Sequence, residues 1–207
     1  MFEAGERWSG GDRDLDRIVN LSDGVFAIAL TLLVLDIRVP ELPESLVATD
    51  LPVKLFALWP KYLGYLLSFG GISMFWVVHH SIFRDIRSYD RGLVWLNFLF
   101  LMFVAFMPFP TSLLGEYGSH QLPVAIYAGT LAIGRLLLTA MYWYTIGREH
   151  LADEDPARVR FFLIRGLTIP VIFLLSIGIS FLSVNAAIWS WVILIVGDAF
   201  VSRGRLR

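Results

Sequence analysis

Apolar residues in this chain gather into windows of about 20, and that clustering is what most constrains its fold. A helix rising about 1.5 Å per residue needs about 20 residues to cross a ~30 Å hydrocarbon core. Six windows have this character: Ile18 to Arg38, Phe56 to His80, Arg91 to Phe109, Leu122 to Ile146, Phe161 to Ser183 and Asn185 to Ser202. Hydrophobic residues make up 57% of the chain, above the share of about 45–50% in soluble domains, and mean hydropathy is +0.66. The expected fold is therefore an all-α membrane protein with six transmembrane helices. The fifth and sixth windows nearly abut; joined, they would run to about 40 residues and overshoot any bilayer, so a tight helical hairpin is expected around Val184.

Lys and Arg divide unevenly between the two sets of loops. One side collects Arg7, Arg13, Arg17, Arg84, Arg87, Arg91, Arg148, Arg158, Arg160, Arg165, Arg203, Arg205 and Arg207, the other only Arg38, Lys54 and Lys61, with Arg135 left inside the fourth window. Cytoplasmic loops carry the positive excess, so both termini are expected in the cytoplasm. Residues 1–16 mix Glu3, Glu6, Asp12, Asp14 and Asp16 with few apolar side chains, so a short acidic tail is expected there in place of a signal peptide. The transmembrane domain then occupies residues 17–207. Cysteine is absent, which excludes disulfides, thiolate metal sites and thiol catalysis. Net charge is -1, and the scattered arginines read as topology signals, without the concentrated basic face that nucleic-acid binding needs.

Asp23 lies inside the first apolar run. An ionised carboxylate costs about 2.5–3.5 kcal/mol at a helix centre on insertion scales and less near an end, so it requires partners. Counting residues from the cytoplasmic side places several polar groups in one layer: Arg17, Asn20, Ser22 and Asp23 on the first helix, His79 and His80 closing the second, and Asn97 in the third. Where water is scarce such groups satisfy one another. The expectation is a network of Arg17, Ser22, Asp23, Trp76, His79 or His80, and Asn97, read either as glue between helices or as the frame that positions the first helix around a pathway. At 100° per residue, Gly24, Ile28, Thr31 and Leu35 share a stripe on that helix, with Leu32 beside it. In an isolated chain this is a packing face; in a symmetric oligomer it would ring a pore, with Ile28 or Leu35 as an apolar constriction that gates by dewetting.

Other signals carry less. Thr145-Ile146-Gly147 begins like a potassium filter but continues Arg148-Glu149-His150 at a helix end. His79 and His80 are adjacent, about 100° apart on a helix, with no carboxylate one turn away, so no metal site is expected. Arg135 stands alone where a voltage sensor would repeat arginine every third residue; it is expected to pair structurally, with Asp198 as a candidate, or to shape the field along a conduction path. Pro108 and Pro110 are expected to end the third helix, and Pro170 to kink the fifth. Trp59, Tyr62, Tyr117 and Trp189 fit an interfacial aromatic belt. Hydrolytic chemistry would need a carboxylate and histidine set, a serine with a base or a metal motif, and none stands at usable spacing.

The run Arg17 to Ile37, R-x-x-x-L-S-D-G-V-F-A-I-A-L-T-L-L-V-L-D-I, resembles the first-helix signature of bacterial members of the transmembrane protein 175 family, the endolysosomal-type potassium channels. S-F-G-G-I-S-M-F-W-V-V-H-H (Ser68 to His80) and L-V-W-L-N-F-L-F-L-M-F-V-A-F-M-P-F-P-T (Leu93 to Thr111) extend the likeness, which covers roughly residues 17 to 115. The family usually has Phe before Ser-Asp, where this chain has Leu21. The resemblance implies a homotetrameric, potassium-permeable channel of a bacterial inner membrane, lacking a carbonyl filter and any cofactor, with monovalent cations as the permeant species. It implies that the first helix lines the pore, with Ile28 as hydrophobic constriction, Thr31 as the hydroxyl tied to ion preference, and Leu32 and Leu35 as further pore-facing positions. It also implies the network of Arg17, Ser22 and Asp23 with Trp76 and His79 or His80. A proton- or ion-coupled transporter is the alternative, raised by Asp23, the paired histidines and Arg135.

Overall fold

Within hydrocarbon every backbone N–H and C=O must pair inside its own segment, and the computed structural model of the chain is accordingly nearly all-helical. It describes residues 12–86, 89–147 and 156–203, with side chains at 12–14, 158 and 195–203 excepted. In chain order the α-helices are α1 (Asp12–Leu32), α2 (Val47–Ala57), α3 (Trp59–Arg84), α4 (Arg91–Phe106), α5 (Pro108–Tyr117), α6 (Gln121–Gly147), α7 (Pro156–Ser180) and α8 (Val184–Arg203); 3-10 turns cover Leu33–Asp36 and Glu44–Leu46. Five spans are long and apolar enough to cross a membrane: Leu15–Asp36, Trp59–Arg84, Arg91–Tyr117, Gln121–Gly147 and Val159–Ser180. The sixth expected window falls on α8, which is apolar over the shorter stretch Val184–Leu194 among the described residues.

Three boundaries differ from the sequence expectation, each for a local reason. The second window was expected from Phe56, but the chain breaks at Leu58, because Pro60 lacks an N–H and is favoured in a first helical turn. The residues before it fold as the separate, exposed α2. Pro108 and Pro110 were expected to end the third helix; they instead open α5 after a one-residue break at Met107, and the span continues to Tyr117. The first helix tightens into a 3-10 turn from Leu33, so Leu35 follows a step of about 120° in place of 100°. The hairpin between α7 and α8 is a three-residue turn, held by Leu182 and Ser183 N–H donating to Ile179 O and by the Ser183 hydroxyl accepting from Ala186 N–H at 3.3 Å. Pro170 lies buried inside α7, which is continuous through it.

α6 is the centre of the bundle. It contacts α3, α4, α5, α7 and α8, and Val124, Tyr127, Ala128, Leu131, Leu138 and Met141 on it are fully buried. Small residues let its neighbours approach, as helix contacts in membranes require. A Cβ at Gly134 would stand 2.8 Å from the Phe75 ring of α3, and one at Gly166 of α7 would overlap the Thr139 side chain. In the half of the bundle nearer the α1–α2 connection, Ser68 Oγ lies 2.7 Å from Thr111 Oγ1 and 3.0 Å from Tyr127 OH, a buried hydroxyl cluster joining α3, α5 and α6.

Candidate functional site

α1 packs against α4 and α3 through a face made of Ser22, Phe26, Ala29 and Leu33, all buried. The periodicity of that face is three to four residues, as a helix lying on a bundle demands. Two hydrogen-bond chains bolt it down. The Ser22 hydroxyl donates to Ile18 O at 2.9 Å and accepts from Asn97 Nδ2–H at 3.0 Å; Asn97 Oδ1 lies 2.9 Å from His79 Nε2. Because the hydroxyl proton is committed to Ile18 O, the amide must present N–H to Ser22 and its oxygen to His79, which makes Nε2 of His79 the donor. This chain crosses α1, α4 and α3 in turn, and Ser22, His79 and Asn97 are all buried. Beside it, Trp76 Nε1–H donates to Asp23 Oδ1 at 2.8 Å.

His79 sits in an aromatic box. Its ring stacks on Phe83 (4.4 Å between centroids) and Phe100 (5.7 Å) and meets Phe26 edge-on at 5.6 Å. His80 is exposed and stacks on Trp76 at 5.3 Å, so the two adjacent histidines serve different surroundings. Arg17 is exposed and lies five residues before Ser22, on the wall of a groove between α1 and α4.

A second anchor holds the far end of α1, and the sequence reading missed it. Ser112 Oγ–H of α5 donates to Asp36 Oδ1 at 2.6 Å. The available signal was a second acid at the other end of the first apolar run, with a serine following the Pro108-Phe109-Pro110-Thr111 stretch. Thirteen residues separate Asp23 from Asp36, about 20 Å of helix.

Between the anchors one face of α1 is bare. Ile28 is 60% exposed, Leu32 43% and Leu35 67%; Gly24, Ala27 and Thr31 are exposed too, and a Cβ at Gly24 would meet nothing within 4 Å. Thr31 Oγ1–H is satisfied within its own helix, by Ala27 O at 3.0 Å and Ile28 O at 2.9 Å. The stripe drawn from angles thus lies on the side of α1 that the other described residues leave uncovered.

Arg135 is 7% exposed on α6. Its Nε has no hydrogen-bond partner among the described residues, and the guanidinium lies 5.7 Å from the centroid of Phe162. The side chain of Asp198, its candidate partner, lies outside the described residues. Among the described residues there is no group of three or more His, Asp or Glu placed to hold a metal ion.

A helical bundle with several membrane-length spans, whose first helix is tied by polar anchors at both ends and bare between them among the described residues, defines the class: a multi-pass membrane protein. The family model described as endosomal/lysosomal potassium channel TMEM175 matches residues 17–108. A potassium channel of Streptomyces collinus is 39% identical over 183 residues, covering 81% of this chain and 82% of that protein. The crystal structure of a lysosomal potassium-selective channel TMEM175 homolog from Chamaesiphon minutus superimposes with a TM-score of 0.81 at 34% identity, over 92% of this chain and 99% of the other. The human endosomal/lysosomal proton channel TMEM175 is 37% identical over 98 residues, which is 45% of this chain and 19% of that protein. The chain belongs to the TMEM175 family of ion channels.

Proposed function

We propose that this protein is a potassium-permeable cation channel in which the first helices of four copies surround the pore. Ile28 forms its constriction, with Thr31, Leu32 and Leu35 lining the pore beyond. The observation that carries this reading is the uncovered stripe of α1 between two polar anchors. A pore-lining helix needs one face held rigidly by its own subunit and the opposite face left to the symmetry axis. Ile28 is five residues from the inner anchor and eight from the outer, so it lies near the middle of the bare segment. A ring of branched apolar side chains there passes an ion only when it is wide enough to stay wet, which makes conduction sensitive to small shifts of α1. The Thr31 hydroxyl is the first polar atom beyond that ring on the same stripe. The network of Ser22, Asp23, Trp76, His79 and Asn97 then acts as the frame of the pore helix, with Arg17 and His80 at its margin. Both termini lie in the cytoplasm of the host's inner membrane, and the protein works without a cofactor.

The test is passive cation flux in proteoliposomes. Wild-type protein is expected to carry a current whose reversal potential follows the potassium gradient, and Ile28→Asn to raise conductance while the oligomer persists in size-exclusion chromatography. If neither Ile28→Asn nor Ile28→Ala alters conductance or selectivity in an intact oligomer, the pore assignment is wrong. A saturable, solute-dependent flux abolished by Asp23→Asn would favour a coupled transporter instead. The name of the human relative makes a proton-gradient arm of the same flux assay worth running.

A further inference from the structure

A groove of about 560 Å³ opens between the beginnings of α1 and α4. The two helices run side by side, and because Ser22 is bonded to Asn97, residues five and six positions earlier stand at a common depth. Those residues are Arg17 and Arg91, about 8 Å nearer the end of the bundle at ~1.5 Å per residue. Both side chains are exposed and line the groove. One turn further into the bundle the walls become apolar, with Leu21 on one side and Val94 and Trp95 on the other; Trp95 is 71% exposed. The carboxylate of Asp90, at the start of α4, accepts from Leu93 N–H at 2.9 Å and from Tyr144 OH of α6 at 2.7 Å.

We propose that this groove is a binding site for an anionic phospholipid, with the phosphate against Arg17 and Arg91 and one acyl chain along Leu21, Val94 and Trp95. Two guanidinium forks at equal depth suit phosphate oxygens, which Arg engages bidentately. Basic pockets between membrane helices are where anionic headgroups bind, and an exposed indole at this depth is typical of the membrane interface. A free anion would use the arginines and leave the apolar walls wet; a zwitterionic lipid would fill the walls with no net charge for the arginines. Under the orientation proposed above the groove opens in the cytoplasmic leaflet, where anionic lipids are concentrated.

The purified full chain in neutral detergent provides the test, through native mass spectrometry and thermal unfolding with added dioleoylphosphatidylglycerol, dioleoylphosphatidylcholine or inorganic phosphate. The wild type is expected to retain and be stabilised by the anionic lipid in preference to the zwitterionic one. Arg17→Gln with Arg91→Gln is expected to erase that preference while circular dichroism and oligomeric state stay unchanged. Val94→Trp, which fills the apolar part and keeps both arginines, is expected to weaken retention of either lipid. Equal effects of the two lipids, an unchanged preference in the double arginine variant, or stabilisation matched by inorganic phosphate would each overturn the assignment. So would a Val94→Trp variant that dissociates the oligomer yet binds the lipid normally, since a neighbouring copy would then occupy the groove. None of these readouts is an ion current, so the lipid site and the channel reading fail separately.

Discussion

Replacing Asn97 by Leu tests the inner anchor of α1 with a magnitude the geometry supplies. Asn97 is 0% exposed and His79 1%, and the amide bridges Ser22 and His79 at 3.0 and 2.9 Å. Leucine is close in volume, so little cavity is created. Ser22 keeps its own acceptor, Ile18 O. The His79 Nε2–H is left without one. A buried orphan donor costs about 1–3 kcal/mol, whereas hydrogen bonds between membrane helices average about 0.6 and reach about 1.7 kcal/mol. Complete burial puts this case at the upper end of the membrane range, about 1.5 kcal/mol, a factor of roughly ten in the folding equilibrium. Adding His79→Phe removes the orphan. The new ring would lie among Phe26, Phe83 and Phe100, which already surround the imidazole, and deleting both partners of a buried bond is close to neutral when shape is kept. Asn97→Leu is therefore expected to lose about 1.5 kcal/mol, and the double variant to recover most of it, in reversible unfolding titrations in mixed micelles. A double variant as unstable as Asn97→Leu would refute the reasoning, because the loss would then come from packing at position 97 and not from an unpaired imidazole donor.

Trp76→Phe removes the donor to Asp23, and because the indole is partly exposed the loss is expected to be smaller, about 1 kcal/mol in the same titration; no loss would mean that water replaces the bond. Thr31→Val deletes the hydroxyl and keeps the branched shape, so stability is expected to hold while reversal potentials under mixed potassium and sodium gradients shift; unchanged potentials would place Thr31 off the ion path. Arg135→Met exchanges a buried cation with an unpartnered Nε for an apolar chain of similar length. It is expected to match or exceed wild-type thermal stability, since replacing a buried ionic group by an apolar side chain of similar volume is often neutral or stabilising. A large destabilisation would identify a buried counter-charge for Arg135.

The spans were legible because hydropathy over about 20 residues is set by the bilayer and needs no knowledge of neighbours. Breaks inside them were not, because Pro60, Pro108 and Pro110 stop or start a helix depending on whether the residue before them is already helical. Depth could be counted along each helix, and this set Ser22, Asp23, Trp76, His79 and Asn97 in one layer. Azimuth between helices could not. The choice between His79 and His80 depends on Phe26 of α1 and Phe100 of α4 closing around one ring, a contact among three helices. Asp36 with Ser112 is of the same kind: the pair is 76 residues apart in sequence and no local pattern links them. The bare stripe needed only the period of α1, whereas its exposure needed the placement of every other helix.

Exposure of apolar residues means little for a helix in lipid, since hydrocarbon solvates Ile28 or Leu35 as well as protein does. What gives the stripe meaning is the contrast with the other face of α1. That face spends polar groups at both ends on fixing the helix, through Ser22 and Asp23 at one and Asp36 at the other. A helix held only by apolar contacts could turn about its axis at small cost, but turning α1 by one residue, about 100°, would pull all three of these bonds apart. In the proposed channel the permitted motions of α1 are therefore small tilts and shifts about its anchors, or larger ones that first break an anchor. Each bond is worth about 0.6–1.7 kcal/mol, so releasing the Asp36 end costs that much and releasing the end with two bonds about 1.2–3.4 kcal/mol, within the range that a ligand's differential affinity for two conformations supplies. In that proposed channel the anchors both hold the bare stripe in register and set how much energy a gating stimulus has to deliver.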